Sequence, residues 1–230
     1  MASTRRSRTG KALALAAAMT GCPAVQAGGH FDVDDAGTLG PGECQYEIWG
    51  GHGTPRSIDF FHLGPACRVG PVELGLNLDL AKGDFDRGDQ IGPQLKWNFF
   101  GQDEGAPLAL ALVVGAVYDY RKNERWGGQL VVPLTWQVLE PLAINVNLGY
   151  DWTPVDGART PRAGAGIDWA LAPALALLAE HSRAFDRATT RVGLRWSITP
   201  TLSLDASVAR IHSEGVRLFT IGLNQSFSRP

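Results

Sequence analysis

The stretch Trp169-Ala-Leu-Ala-Pro173-Ala-Leu-Ala-Leu177 returns as Trp196-Ser-Ile-Thr-Pro200-Thr-Leu-Ser-Leu204, and a looser copy, Trp136-Gln-Val-Leu-Glu-Pro141-Leu-Ala-Ile144, precedes both. Each copy joins the end of one alternating segment to the start of the next through a turn carrying proline, whose φ is already set for turning. An aromatic stands a few residues before each turn. A sheet that reverses this often, with aromatics at one height, has the layout of a transmembrane β-barrel.

Alternation extends on both sides of these turns. In 142–152, Leu142, Ile144, Val146, Leu148, Tyr150 and Trp152 share one face, opposite Ala143, Asn145, Asn147, Gly149 and Asp151. In 72–80, Val72, Leu74, Leu76, Leu78 and Leu80 oppose Glu73, Gly75, Asn77 and Asp79. A period of two marks strands with one apolar face. The whole chain read this way predicts an all-β fold, a closed antiparallel barrel of about twelve strands, with ten as the alternative, since single-chain bacterial barrels have even counts. The period blurs in 107–119, where Leu112, Val113 and Val114 run together. One set of connections is short and proline-bearing, at Gly70-Pro71, Glu140-Pro141, Ala172-Pro173 and Thr199-Pro200. The other set, 81–88, 119–126 and 153–161, is longer and polar. Short periplasmic turns and longer external loops are the expected asymmetry.

The ends set the compartment. Arg5, Arg6, Arg8 and Lys11 precede a short apolar run from Ala12 to Met19, and Val25-Gln-Ala27 offers small residues for cleavage. This predicts a signal peptide over 1–27. A lipoprotein signal ending at Cys22 is the alternative. Residues 28–42 are then expected as a periplasmic N-terminal segment and 43–230 as the barrel, in a bacterial outer membrane. The formal charge of −2 argues against a nucleic-acid partner. No run approaches the ~20 apolar residues of a membrane helix.

The polar face is rich in Gly, Ala, Asn and isolated charges, which favours polar-in and apolar-out. Trp97, Trp136, Trp169, Trp196 and Phe227 fall near strand ends on the periplasmic side, with Tyr150 and Trp152 at the opposite interface, as two aromatic girdles. The inner face would carry Glu47, Glu73, Asp79, Lys96, Asn145, Asn147, Asp151, Asp168, Glu180, Arg191, Arg195 and Asp205. These either line a pore or fill a packed interior, and mutual neutralisation is expected among Arg191, Arg195 and Glu180. Cys44 and Cys67 share the apolar parity at neighbouring strand ends. They form either a cross-strand disulfide, which export would permit, or two small apolar residues.

The opening Asp32-Val-Asp-Asp-Ala-Gly-Thr-Leu-Gly-Pro-Gly42, leading into Gln45-Tyr-Glu47, resembles the start of proteins in the MetA-pathway of phenol degradation family. The stretch Gly92-Pro-Gln-Leu-Lys-Trp97 is similar to one of its strands. Cys44 is atypical for that pattern. The resemblance implies an outer-membrane barrel engaged in transport, with small hydrophobic or aromatic solutes as cargo.

Gly222 and Phe227 resemble the C-terminal signal read by the barrel assembly machinery, although Gln225 and the trailing Ser228-Arg-Pro230 depart from it. Membrane lipids and lipopolysaccharide are the other expected partners. Enzymatic chemistry finds little support. His181-Ser182 and His212-Ser213 are adjacent in sequence, and adjacent strand residues point to opposite faces, so neither pair makes a dyad. Asp32, Asp34 and Asp35 lack the later glutamate and glycine of a calcium loop. No cofactor, metal site or catalytic residue is expected. The leading expectation is a passive channel for small molecules, its mouth narrowed by 81–88, 119–126 and 153–161. A plugged structural barrel is the alternative, and an outer-membrane lipid hydrolase stands third.

Overall fold

The computed structural model describes residues 29–83, 87–102, 106–121, 126–153 and 156–228. The expected signal peptide lies outside these residues. The strands are β1 (Glu43–Thr54), β2 (Ile58–Val69), β3 (Val72–Gly83), β4 (Arg87–Phe100), β5 (Leu108–Asp119), β6 (Gly127–Leu139), β7 (Leu142–Trp152), β8 (Arg159–Ala172), β9 (Leu175–Ala184), β10 (Arg187–Thr199), β11 (Leu202–Ile211) and β12 (Val216–Ser228). Each pairs antiparallel with its chain neighbours, and β12 pairs with β1 from Glu43↔Ser228 to Thr54↔Arg217, closing a twelve-stranded barrel. Closure leaves no strand edge unpaired.

Parity orients the wall. On β7, Leu148 and Tyr150 are 61% and 57% exposed, whereas Asn145, Asn147 and Asp151 are almost completely buried. Apolar side chains therefore cover the outside and polar ones fill the inside, the inverse of a soluble barrel. The blurred stretch on β5 resolves in the same way. Leu112 is partly exposed and Val114 exposed on the outer face, while Val113 is fully buried and points inward. Trp97, Trp136, Trp169, Trp196 and Phe227 stand exposed on the outer face near the proline-turn end.

The repeated phrase also encodes a feature that alternation hides. The ladder shifts register between Gln137 and Leu139, between Ala170 and Ala172, and between Ser197 and Thr199, with a fourth shift between Asn98 and Phe100. Each bulge follows a tryptophan and adds one residue before the turn: Val138, Leu171, Ile198 or Phe99. Bulges bend the strand and increase its twist. They let the chain curl at the barrel rim while keeping an apolar residue outside.

Two expectations about connections change. The sequence placed a loop at 81–88, but β3 continues to Gly83 and β4 begins at Arg87. Likewise β8 begins at Arg159, inside the expected loop 153–161. The cause is hydrogen bonding: the ladder continues through polar side chains because it needs only backbone groups. Within the β7–β8 connection, the Thr153 hydroxyl and the Ala158 amide hold the exposed Asp156 carboxyl below its ordinary range. Cys44 and Cys67 are register partners on β1 and β2 and are joined by a disulfide.

Candidate functional site: the barrel interior

A barrel of twelve strands spaced ~4.8 Å and tilted ~40° is about 24 Å across at the backbone. Inward side chains reach about 5 Å, leaving an inner circuit of roughly 45 Å. Fourteen extended residues span about 46 Å. Residues 29–42, expected in the periplasm, instead lie inside the barrel and pass its strands in descending order. The boundary read from the sequence coincides with the start of β1 at Glu43; the segment's place differs, and the reason is a set of wall side chains that replace water for its backbone.

The path starts at Gly29, which donates its amide to Glu47 of β1 and lies against Asp205 of β11 and Asn224 of β12. His30 Nε2 and Ser207 Oγ on β11 are 2.6 Å apart. Phe31 sits under the Arg191 guanidinium of β10, 5.9 Å away. The amides of Asp32 and Val33 donate to the two carboxylate oxygens of Glu180 on β9, at 3.0 and 2.9 Å. Asn147 of β7 grips Asp34 from both sides, accepting from its amide and donating to its carbonyl, both at 2.8 Å. The Ala36 amide donates to Thr135 Oγ1 on β6, and Asn98 Nδ2 of β4 donates to the Ala36 carbonyl. Lys96 Nζ donates to Asp35 at 3.3 Å. The Leu39 amide donates to Glu73 on β3, and Arg68 of β2 donates to the Leu39 carbonyl. Gly40 and Glu43 then bond each other, and β1 begins. The segment is a ring laid once around the inner wall.

The pattern has a physical logic. A buried backbone needs partners for every amide, and strand walls already use their own. Asn, Thr and Glu side chains therefore act as the acceptors. Val33, Ala36 and Leu39 are buried at 3%, 0% and 2% exposure. Wall glycines make room for them: a Cβ at Gly164 would stand 2.7 Å from Val33 Cγ2, and one at Gly222 3.1 Å from His30 Nδ1. The other neighbours of Gly164, Ser182 Cβ and His181 O, are 3.4 and 3.5 Å from that position. A larger residue there meets the ring before it strains the wall. Gly164→Val is expected to displace Val33 while the barrel still folds. The check is maleimide labelling of a Val33→Cys reporter, faster in the Gly164→Val background than without it. Equal labelling would disprove the contact's role.

All twelve sequence-selected polar residues lie on the inner wall, and most are buried. Arg191 Nε donates to Glu180 at 3.2 Å, while Arg195 turns to Asp205 in a two-pronged contact at 2.7 and 2.8 Å. Asp168 accepts from Asn145 at 3.1 Å. Asp79 meets His62 at 2.7 Å. At the end opposite the proline turns Asp151 binds the Arg162 guanidinium at 2.8 Å and the Phe185 amide at 2.6 Å. Arg162 also lies 5.4 Å from the centre of the Phe185 ring. Among the described residues this β9–β10 turn folds over the rim, a role the sequence had given to other loops. Phe185 and Asp186 both have positive φ, 47° and 62°, the tight geometry that suits a two-residue hairpin.

Sequence reasoning missed two features besides the ring. One is an aromatic group inside: Trp49 stacks on His62 at 4.4 Å, meets Phe60 edge-on at 5.9 Å, and faces His30, which stacks on Phe31 at 4.7 Å. Its signal was Trp49 on the same parity as Glu47. The other is a cavity of about 440 Å³ at the proline-turn end, below the ring, edged by Glu47, Glu73, Lys96 and Arg195 with Asp34 and Asp35 of the ring. His30 and Ser207 do form a hydrogen-bonded pair, but it is buried in the lumen and Arg191 also donates to Ser207. It anchors the ring. Ser182 points inward to Asp32 and His181 outward, so that adjacent pair is divided between faces. No metal-binding cluster occurs among the described residues.

The fold resembles solved outer-membrane barrels at low sequence identity. The NanC porin aligns at TM-score 0.60 with 9% identity, over 78% of this chain and 98% of its own. The KdgM porin in complex with disordered oligogalacturonate aligns at 0.60 with 9% identity, over 80% and 99%. Outer membrane phospholipase A from Escherichia coli aligns at 0.54 with 13% identity, over 79% and 95%. Porins and an enzyme share this architecture, so the likeness bears on fold alone. No curated protein matches the chain. A family model matches residues 14–227, nearly the whole barrel and its inner ring, and the chain belongs to that family, Uncharacterised conserved protein UCP029691.

Proposed function

We propose that this protein is a bacterial outer-membrane channel for small solutes, narrowed by its own N-terminal segment. The observation that carries the reading is the ring of residues 29–42, held around the inner wall by polar contacts above an open cavity. A barrel wall needs no such insert to be stable, and a ring against the wall restricts a path more readily than it fills one. Carboxylates outnumber cations around the cavity, with Asp34, Asp35, Glu47 and Glu73 against Lys96 and Arg195. Charged rings of one sign select ions of the other. Purified mature protein in planar bilayers is expected to give small, cation-preferring conductance steps. Silence from both this protein and a variant lacking the ring would leave a structural barrel as the function.

The resemblance of residues 32–47 to the MetA-pathway of phenol degradation family suggests aromatic cargo, and the inward Trp49, Phe60 and His62 give such cargo a surface to stack on. Liposome uptake of phenol, compared with a sugar of similar size, tests that finer reading.

A further inference from the structure

One row across the outer face departs from the apolar rule. Ladder register sets His181 of β9 beside Thr190 of β10, Thr190 beside Arg210 of β11, and Arg210 beside Arg217 of β12. The row lies toward the end opposite the proline turns. Immediately below it, the next outward row is Ala179, Val192, Val208 and Phe219, of which the last three are about half exposed. The wall thus passes in a single step along each strand from apolar residues to a polar row, basic on β11 and β12.

Arg210 and Arg217 are directly opposed and exposed. Like charges at such positions destabilise a sheet unless an anion lies between them. The nearby carboxylates are engaged elsewhere: Glu214 with Arg187 at 3.0 Å, Asp186 with Arg183, and Asp59 with His52 at 2.8 Å. Among the described residues, neither Arg210 nor Arg217 has an acidic partner. Thr190 Oγ1 lies 2.8 Å from His181 Nδ1 and 2.9 Å from His212 Nε2, so its hydroxyl draws both imidazoles beside the arginines. Two guanidinium groups, two imidazoles and a hydroxyl stand above a strip of Val192, Val208 and Phe219. Arginine binds phosphate through paired N–H donors, and the strip below offers contact for acyl chains.

We infer that this surface binds a phosphorylated amphiphile of the outer leaflet, its phosphate between Arg210 and Arg217 and its chains along Val192, Val208 and Phe219. The site depends on the outer-membrane orientation and not on the channel reading. An amphiphile is favoured over free phosphate because charge and apolar surface meet at one level.

The test uses detergent-purified protein titrated with diphosphoryl lipid A and followed by native mass spectrometry. Binding is expected in the wild type and roughly 30-fold weaker in Arg210→Gln/Arg217→Gln, from the loss of two membrane-proximal cations. Arg159→Gln, an outward arginine of β8 outside the row, should bind as wild type. Both side chains leave the wall, so the double variant keeps its barrel, checked by heat-modifiable gel migration. Three results would each overturn the inference. The double variant binds within twofold of wild type, lipid A stripped of its phosphates binds equally well, or inorganic phosphate alone binds as tightly as the lipid. Conductance read in the same preparations keeps its outcome separate from that of the channel.

Discussion

If the proposed channel holds, removal of residues 28–42 from a chain starting at Gly28 is expected to raise single-channel conductance about tenfold, since a path of about 4 Å would open to a lumen of about 14 Å. The wall should survive the deletion. Its twelve strands close through β1–β12 without help from the segment, and β1 starts at Glu43, beyond the deletion. The wall groups that lose partners, among them Glu180, Asn147 and Glu73, would then face water, where their hydrogen bonds are replaced at modest cost. Cation preference should fall, because Asp34 and Asp35 leave with the ring and the remaining Glu47 and Glu73 are matched by Lys96 and Arg195 of the wall. An unchanged conductance, with the barrel shown folded, would mean that the ring does not set the restriction.

The second large effect concerns Arg195 and Asp205. Their side chains are 7% and 0% exposed and meet in a two-pronged contact. Breaking a buried pair leaves one charge without compensation and typically costs about 3–5 kcal/mol, whereas replacing both partners by apolar residues is often near neutral. Arg195→Leu alone should therefore lower stability in urea strongly. Arg195→Leu/Asp205→Leu should recover most of the loss, even though Asn224 Nδ2 also donates to Asp205 at 2.9 Å. A double variant as unstable as the single would show that the loss comes from altered packing and not from an orphaned charge.

These two effects divide along what the sequence made legible. The inward position of Arg195 follows from parity, which is local and exact in period, so the inner-face residues could be read one by one. Alternation fixes which side a residue faces, but not its partner. Arg195 meets Asp205 of β11 and not Glu180 of β9 because the ladder sets it directly opposite Asp205, whereas Glu180 stands opposite Arg191. The bulges behind the repeated tryptophans were also hidden, since one extra residue before a turn looks like alternation ending one position early.

The ring was illegible for a different reason. Asp32, Asp34 and Asp35 made 28–42 look like a solvated linker, and nothing in a linker's composition names the wall that will receive it. A trace was present in Val33, Ala36 and Leu39, apolar at every third position of a polar stretch. A second trace lay on the wall, where Gly164, Gly166, Gly193 and Gly222 vacate inward positions. Neither reads as packing until the two are superposed. The surface row at Arg210 and Arg217 was hidden likewise, because each residue lies at the end of its own strand and only the register joins them.

The ring begins and ends at the same mouth. Gly29 sits by Glu47 and Asp205, and Glu43 opens β1 a few residues below, both at the proline-turn end. The segment is therefore coiled inside the barrel without being threaded through it. Drawing it out through that mouth would leave the β1–β12 seam shut. Such a pull would work against side-chain hydrogen bonds one after another, a graded resistance, where a threaded plug would yield only by tearing the seam.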